Sequence, residues 1–473
     1  MRAALAAAAF ALALAAPATA AEGEWLAGDL HVHTTYSHDS YGGPGDENTG
    51  PEELYTLGWS VADQFLHAST RGLDYLAITD HQDVRSQSDT GFGGRGVIPI
   101  PGYENSLDGH AQMLGATRIY ENGDESAGAV QALAEALRAD GGAFQVNHPA
   151  EGSTDFPHDR DWSYLYDVQP DTVEVWNISR LWQPPLPSGS SNDDAVRYWE
   201  GWLDRGAKVA ATGGSDNHWR STFALQGVGQ PTTWVFARER TTAGVLEGIR
   251  AGRTFISHQP PALAGPRLFL EGESAMVGDE VAPDTPLRVR VQNGAGMFLR
   301  LVTTGGDFLG EPVLVTGPSF THEFAAPGAA PSWVRAELFA PDLAEQRAAA
   351  CDNPNTTYCR NMLGVTALTS AIYVRDPVLV DPEPPVAEPK LSVRPRPCVR
   401  RRLRARVTGS DLRSVRFFLD GRRRTGAHTA RGGWRLDRRV RLEPGRHRLR
   451  ARVRFITRRT PADLRARFRV CDS

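Results

Sequence analysis

From Leu30 to His258 the chain alternates short apolar runs with stretches of helical period, and this alternation restricts the fold more than any other feature. The strand candidates are Leu30–His33, Tyr75–Thr79, Val97–Ile100, Met113–Ala116, Ala143–Val146, Thr172–Trp176, Lys208–Thr212 and Thr233–Phe236. Helical periodicity covers Pro51–Ser69, Ala127–Ala139, Asp194–Arg205 and Thr242–Ala251, and Gly141 and Gly206 follow two of these stretches as helix stops should. Strand–helix alternation predicts an α/β domain with a largely parallel sheet. A count near seven or eight strands favours a barrel over a short open sheet.

Polar chemistry recurs where these strands end. Asp29-Leu30-His31-Val32-His33-Thr34 places two histidines two residues apart, and the period of a strand turns both rings to one face. Thr79-Asp80-His81, Gly102-Tyr103-Glu104, Gly109-His110, Asn147-His148-Pro149 and Ser215-Asp216-Asn217-His218 follow at or near later strand candidates. In an α/β barrel such ends share one face, where active sites are built. Of 13 histidines, seven (counting His38) lie in these motifs and precede residue 219, a clustering that scattered surface or core histidines would not produce. Imidazole and carboxylate together suit zinc, manganese or iron. The same region has no G-x-S-x-G elbow and no cysteine, so no protein nucleophile is assigned.

The ordered motifs D-L-H-x-H-T, T-D-H, G-x-E, G-H, x-H-P and S-D-x-H resemble the PHP (polymerase and histidinol phosphatase) superfamily over roughly residues 28–258. The resemblance implies an α/β fold with a distorted (β/α)7 PHP-type barrel, and a centre of two or three divalent metal ions that activates water. Carried over motif by motif, His31, His33, Glu104 and Asp216 would hold one ion. Glu104 would bridge to a second, completed by His110 and His148. His81 and His218 would hold a third together with Asp39 or His38. The family carries Ser-Asp where this chain has Ser37-His38, so either His38 replaces the carboxylate or Asp39 reaches in over a one-residue bulge; Asp39 is preferred. Further on, Ala251-Gly252-Arg253-Thr254-Phe255-Ile256-Ser257 resembles the carbaryl-hydrolase-like branch, which includes exported hydrolases with trailing β domains.

Substrate contacts are less visible. Arg180 follows the strand candidate at Trp176 by four residues and is the candidate substrate-binding group, since guanidinium recognises phosphate bidentately. Arg85 and Arg220 lie just past His81 and His218 and are equally placed, and Trp176, Trp182 and Trp219 could line an aromatic pocket.

The flanking regions have their own signals. Met1-Arg2, an Ala/Leu/Phe run and Ala18-Thr19-Ala20 read as a secretory signal peptide over residues 1–20, too short an apolar run for a membrane span, which needs ~20 residues. No later segment is long and apolar enough to be transmembrane, so a secreted or cell-surface protein is expected. Residues 21–262 form the expected metallohydrolase domain and 263–375 a β-sandwich. Residues 376–390 form a Pro-rich acidic linker and 391–473 a second small β-sandwich. The four cysteines suggest local disulfides, Cys351–Cys359 and Cys398–Cys471. Residues 391–473 hold 27 arginines against six acidic residues, a net +21 within a chain of net −4. That segment is expected to meet an anionic surface or polymer, unless it reflects only a bias towards arginine, the chain having two lysines, Lys208 and Lys390.

Three functions fit this sequence. The first is metal-dependent hydrolysis of small or polymeric phosphate esters. The second is hydrolysis of carbamates, esters or amides. The third is a non-enzymatic surface binding protein, which the intact set of candidate ligands disfavours.

Overall fold

A computed structural model describes residues 23–43, 50–150, 162–177, 192–222, 227–341 and 364–376, and further on residues 389–394, 398–400, 402–408, 412–424, 427–429, 433–439, 442–455 and 462–471. The expected signal peptide, Arg180, Trp182, Cys351, Cys359 and most of the linker lie outside the described residues. The chain divides into two compact units, residues 1–377 and 378–473. Among the described residues no helix is long and apolar enough to cross a membrane.

The first unit is mixed α/β. One sheet runs in the order β3 (Ile98–Pro101), β2 (Tyr75–Ile78), β1 (Glu24–Asp29), β9 (Thr232–Ala237) and β10 (Thr254–Ser257). A separate five-stranded sheet follows chain order: β4 (Glu104–Leu107), β5 (Gly109–Leu114), β6 (Ala143–Val146), β7 (Thr172–Asn177) and β8 (Ala210–Gly214). The two meet through isolated bridges, Val32 with Asn217 and His81 with Glu104. The expected largely parallel arrangement is only half present. β1–β2, β2–β3, β6–β7 and β7–β8 are parallel, whereas β1–β9, β9–β10, β4–β5 and β5–β6 are antiparallel. For β4–β5 the reason is local: the two form a tight hairpin around Asp108, with no helical crossover to return the chain parallel, whereas β1–β9 joins segments far apart in sequence.

Helices α3 (Ala127–Ala139), α4 (Asn192–Asp204) and α5 (Thr242–Arg250) pack against these sheets. In α3, Val130, Leu133, Ala134 and Leu137 are buried at helical spacing, and the Ser126 hydroxyl caps the first turn by accepting from the Ala129 amide. The single helix expected over Pro51–Ser69 is two, α1 (Pro51–Tyr55) and α2 (Val61–Thr70). Ser60 caps α2 through the Asp63 amide, so the periodicity is interrupted by a new N-terminus. The first strand also ends earlier than its apolar pattern suggested. β1 stops at Asp29, and His31 and His33 flank Val32 just beyond it.

Residues after β10 continue the same sheet. β10 pairs antiparallel with Val365–Thr369, which pairs with Ser332–Phe339. A three-stranded sheet, Arg267–Gly272, Pro286–Gln292 and Ser319–Ala325, contributes Leu268, Leu270, Val289 and Val291 to a shared core with Val334, Ala336 and Leu338. Buried ion pairs tie α4 to this region: Arg335 lies 2.7 Å from Glu200 and 2.7 Å from Glu337, and Glu337 lies 2.6 Å from Arg300.

The second unit is two four-stranded antiparallel sheets enclosing Leu403, Val407, Phe417, Leu449 and Val453. A Cys398–Cys471 disulfide joins its ends.

Candidate metal centre

Six of the strands β1–β10 carry the candidate groups at or just beyond their ends. His31 and His33 follow β1, His81 follows β2, and Glu104 opens β4. His110 begins β5, His148 follows β6, and Asp216 and His218 follow β8. Asp39 comes in from the loop after β1, where Trp219 donates its indole N–H to the Asp39 carbonyl at 3.0 Å.

The deepest part gathers four ligand atoms around one point. His31 Nε2 is 3.0 Å from His33 Nε2, 3.2 Å from Glu104 Oε2 and 3.2 Å from Asp216 Oδ1. His33 Nε2 is 3.3 Å from each of the same two oxygens. Ligands ~2.1 Å from a tetrahedral cation are ~3.4 Å apart, so the spacing fits a metal ion. It does not fit a hydrogen-bonded cluster: Glu104 Oε2 and Asp216 Oδ1 are buried with no hydrogen-bond partner among the described residues. Asp39 Oδ1, His81 Nδ1 and His110 Nδ1 are in the same position. Buried polar atoms left without partners are costly, and their convergence here is what a site for cations requires.

Glu104 faces two ways. Its Oε2 turns to His31, His33 and, at 3.3 Å, His81 Nδ1. Its Oε1 turns to His110 Nδ1 at 3.1 Å and His148 Nε2 at 3.3 Å. A third group is formed by His33, His81 and His218. Asp39 Oδ2 lies 3.0 Å from His218 Nε2 and 3.6 Å from His81 Nε2. His38 is exposed and meets His81 only ring to ring, at 4.8 Å between centroids.

The electrostatics follow from packing four carboxylates, Asp39, Glu104, Glu174 and Asp216, among buried imidazoles. Burial opposes the charge on His31, but Asp216, Glu174 and Glu104 outweigh it and hold the imidazole well above its ordinary range. Burial likewise opposes ionisation of Glu104 and Asp216, yet the surrounding histidines hold both well below the usual carboxylate range. His218, despite its burial, is pushed up to about 10 by Asp216 and Asp39. The pocket is therefore built to hold positive charge at its centre.

Glu174 completes the centre and is absent from the motif reading. Its Oε1 accepts from His31 Nδ1 at 3.0 Å, and its Oε2 accepts from the His148 amide at 3.1 Å and Asn177 Nδ2 at 3.0 Å. This fixes the His31 tautomer, so that Nε2 points into the cluster. A bulge in β7 between Glu174 and Trp176 sets its direction. The available signal was a carboxylate flanked by Val173 and Val175 in a strand buried along its whole length. Asn147 Nδ2 similarly donates to Glu104 Oε1 at 2.7 Å. Two further buried carboxylates organise loops. Asp29 accepts from the His31 and Ser215 amides, and Asp80 from the Thr34 amide and hydroxyl. Gly214 must lack a side chain, because a Cβ there would overlap His31 Cβ and Glu174 Oε1.

The other candidates lie elsewhere. Arg85 is exposed and paired with Asp83, and Arg220 lies over Trp59. Trp176 is buried in the core against β6 and β7 neighbours rather than lining an open pocket.

No family model and no curated protein matches the chain. Among solved structures, a two-domain protein from Bacteroides vulgatus containing a predicted PHP-like metal-dependent phosphoesterase is similar at 18% identity, over 68% of this chain and 93% of that one, with a TM-score of 0.37. An endo-β-1,4-mannanase from Thermotoga petrophila matches 26% of this chain and 25% of its own at 11% identity and a TM-score of 0.17. Fibronectin(III)-like modules of Clostridium thermocellum CbhA match 43% of this chain and 95% of their own at 13% identity and a TM-score of 0.14.

Proposed function

We propose that the first unit is a PHP-type metallohydrolase acting on phosphate esters, with its site built where the two sheets meet at Val32–Asn217 and His81–Glu104. One observation carries this reading: Glu104 turns each carboxylate oxygen to a different histidine cluster, and the buried Oε2 has no hydrogen-bond partner among the described residues. A carboxylate in that position is suited to bridge two cations and fix their separation. Divalent cations held there, zinc, manganese or iron by donor type, would supply Lewis acidity and water activated near neutral pH.

The chain's own residues divide the remaining work. His31 and His33 form the fully buried floor, and Glu174 sets the His31 ring. Asp39 and His110, each with a side chain 32% exposed, stand at the open side, from which substrate approaches. Asp39, Glu104, Glu174 and Asp216 carry four negative charges, so two divalent cations would only balance them and a third would leave the loaded site net cationic. A three-ion site selects an anionic substrate and favours a phosphate ester over a neutral carbamate. The carbaryl-hydrolase-like branch rests on Ala251–Ser257 alone, which here forms β10 and the turn before it. Export is consistent with the disulfide of the second unit, since disulfides persist in oxidising compartments.

The test is one metal-reconstituted preparation assayed on phosphate monoesters, phosphodiesters and aryl carbamates. Turnover of a phosphate ester supports the reading. Turnover of carbamates alone would move the activity to the second class, and turnover of none, in protein that has taken up metal, would leave a binding protein.

A further inference from the structure

The second unit carries an arginine lattice on one face of a four-stranded sheet. Three neighbouring strands of that sheet are Leu412–Leu419, Gly445–Phe455 and Ala462–Val470. Along the last two, apolar residues such as Leu449, Ala451 and Val453 point into the core, while the alternate positions are exposed or half-buried arginines, apart from Asp463 opposite Arg452. The register sets these arginines opposite one another: Arg446 with Arg469, Arg448 with Arg467, and Arg450 with Arg465. Arg416, Arg452 and Arg454 extend the same face. Directly opposed like charges destabilise a sheet pair, so folding alone does not favour this pattern. Of these nine, Arg450 is the one with an acidic partner among the described residues, Asp463 at 3.6 Å.

A preference for arginine over lysine does not account for it. Exchanging Lys for Arg leaves net charge unchanged, yet this segment carries +21 while the rest of the chain carries the compensating −25. The charge is segregated, not merely spelled with arginine.

We propose that this face docks on a membrane surface rich in anionic phospholipid. The shape of the lattice favours a surface over a strand-like polyanion. From Arg446 to Arg454 the face runs ~27 Å at ~3.4 Å per residue, and three strands make it ~10 Å wide. Its arginines spread over three strands as a two-dimensional array and not as a single row. A site for single-stranded nucleic acid combines a groove with aromatic platforms. Here the aromatic ring on this face, Phe418, is covered by the Arg450 guanidinium at 4.4 Å from its centroid. Arginine forks match phosphate oxygens bidentately, and each arginine near an anionic bilayer adds to the attraction.

The experiment is vesicle flotation of the full-length protein, using phosphatidylcholine alone and phosphatidylcholine mixed with phosphatidylglycerol. The wild type should bind only the mixed vesicles, and less tightly as salt rises. The triple variant R465S/R467S/R469S should weaken binding about a hundredfold. R446S/R448S on the neighbouring strand should weaken it about tenfold or more. Both should leave turnover of a soluble substrate unchanged and should keep or raise thermal stability, since they relieve like-charge pairs. A control triple variant in the first unit, R95S/R118S/R238S, should bind like wild type. The proposal is overturned if phosphatidylcholine binds equally well, if the control loses as much affinity as the lattice variants, or if single-stranded DNA or dextran sulfate outcompetes the anionic vesicles.

Discussion

Glu174→Gln tests how the centre is held in shape. The wild-type carboxylate accepts three hydrogen bonds at once, from His31 Nδ1, the His148 amide and Asn177 Nδ2. Glutamine keeps the volume but offers one oxygen and one NH2. If the oxygen faces His31, the NH2 confronts two donors; if it faces His148 and Asn177, the NH2 confronts the His31 ring. Either orientation leaves buried donors unmatched at ~1–3 kcal/mol, a factor of roughly 5 to 150. Loss of the negative charge also makes His31 a weaker base. Metal affinity should therefore fall about 10- to 100-fold, as expected when the partner of a ligating histidine is removed. Competition against a chelator of known affinity reads this directly, and circular dichroism of the metal-free variant shows whether the fold survives. At saturating metal, turnover should recover most of its wild-type value. An affinity within about twofold of wild type in a folded variant would refute the role given to Glu174.

Three further outcomes follow from the packing. Gly214→Ala should lose stability and metal affinity together, by ~1–3 kcal/mol or more of overpacking, because the new methyl overlaps His31 and Glu174; calorimetry and metal titration check it. Glu337, whose burial opposes its charge but which Arg300 and Arg335 hold below its ordinary value near 4.5, contributes stability that is present above that value and lost as pH falls below it. Glu337→Gln should cost ~3–5 kcal/mol at neutral pH, and its stability should change less on acidification, as read by urea melts from pH 7 downward. Replacing Cys398 and Cys471 by Ser should lower the stability of the second unit by about 4 kcal/mol if the denatured chain behaves as a free loop of 73 residues, visible as a separate early transition on heating.

What the sequence made legible was the chemistry at chain ends of strands. His31 and His33 announce a shared face through their spacing alone, and the remaining motifs sit beside apolar runs that are easily recognised as strands. The structure brings His31, His33, His81, Glu104, His110, His148, Asp216 and His218 together, and sets Asp39, rather than the exposed His38, against His81 and His218. Glu174 was illegible because it belongs to no motif: one acidic residue in a buried strand acquires meaning only from the histidine across the sheet. The topology was partly legible for a similar reason. Helical periods implied parallel crossovers, but the β4–β5 hairpin and the antiparallel β9 depend on turns and long-range pairing. The pairing of Thr254–Ser257 with Val365–Thr369 joins segments over 100 residues apart, and no local pattern specifies it.

The central claim, that Glu104 bridges a centre of two or more metal ions, is tested most directly by elemental analysis of reconstituted wild type beside Glu104→Gln and His81→Ala. Glu104→Gln keeps size but removes the charge that faces both clusters, so it should lose metal from both, whereas His81→Ala should lose at most the ion shared with His218 and Asp39. The account predicts at least two transition-metal ions per wild-type chain and fewer in Glu104→Gln than in His81→Ala, with all three proteins folded by circular dichroism. Wild type that takes up no metal, or a Glu104→Gln variant that keeps the full complement, would contradict it.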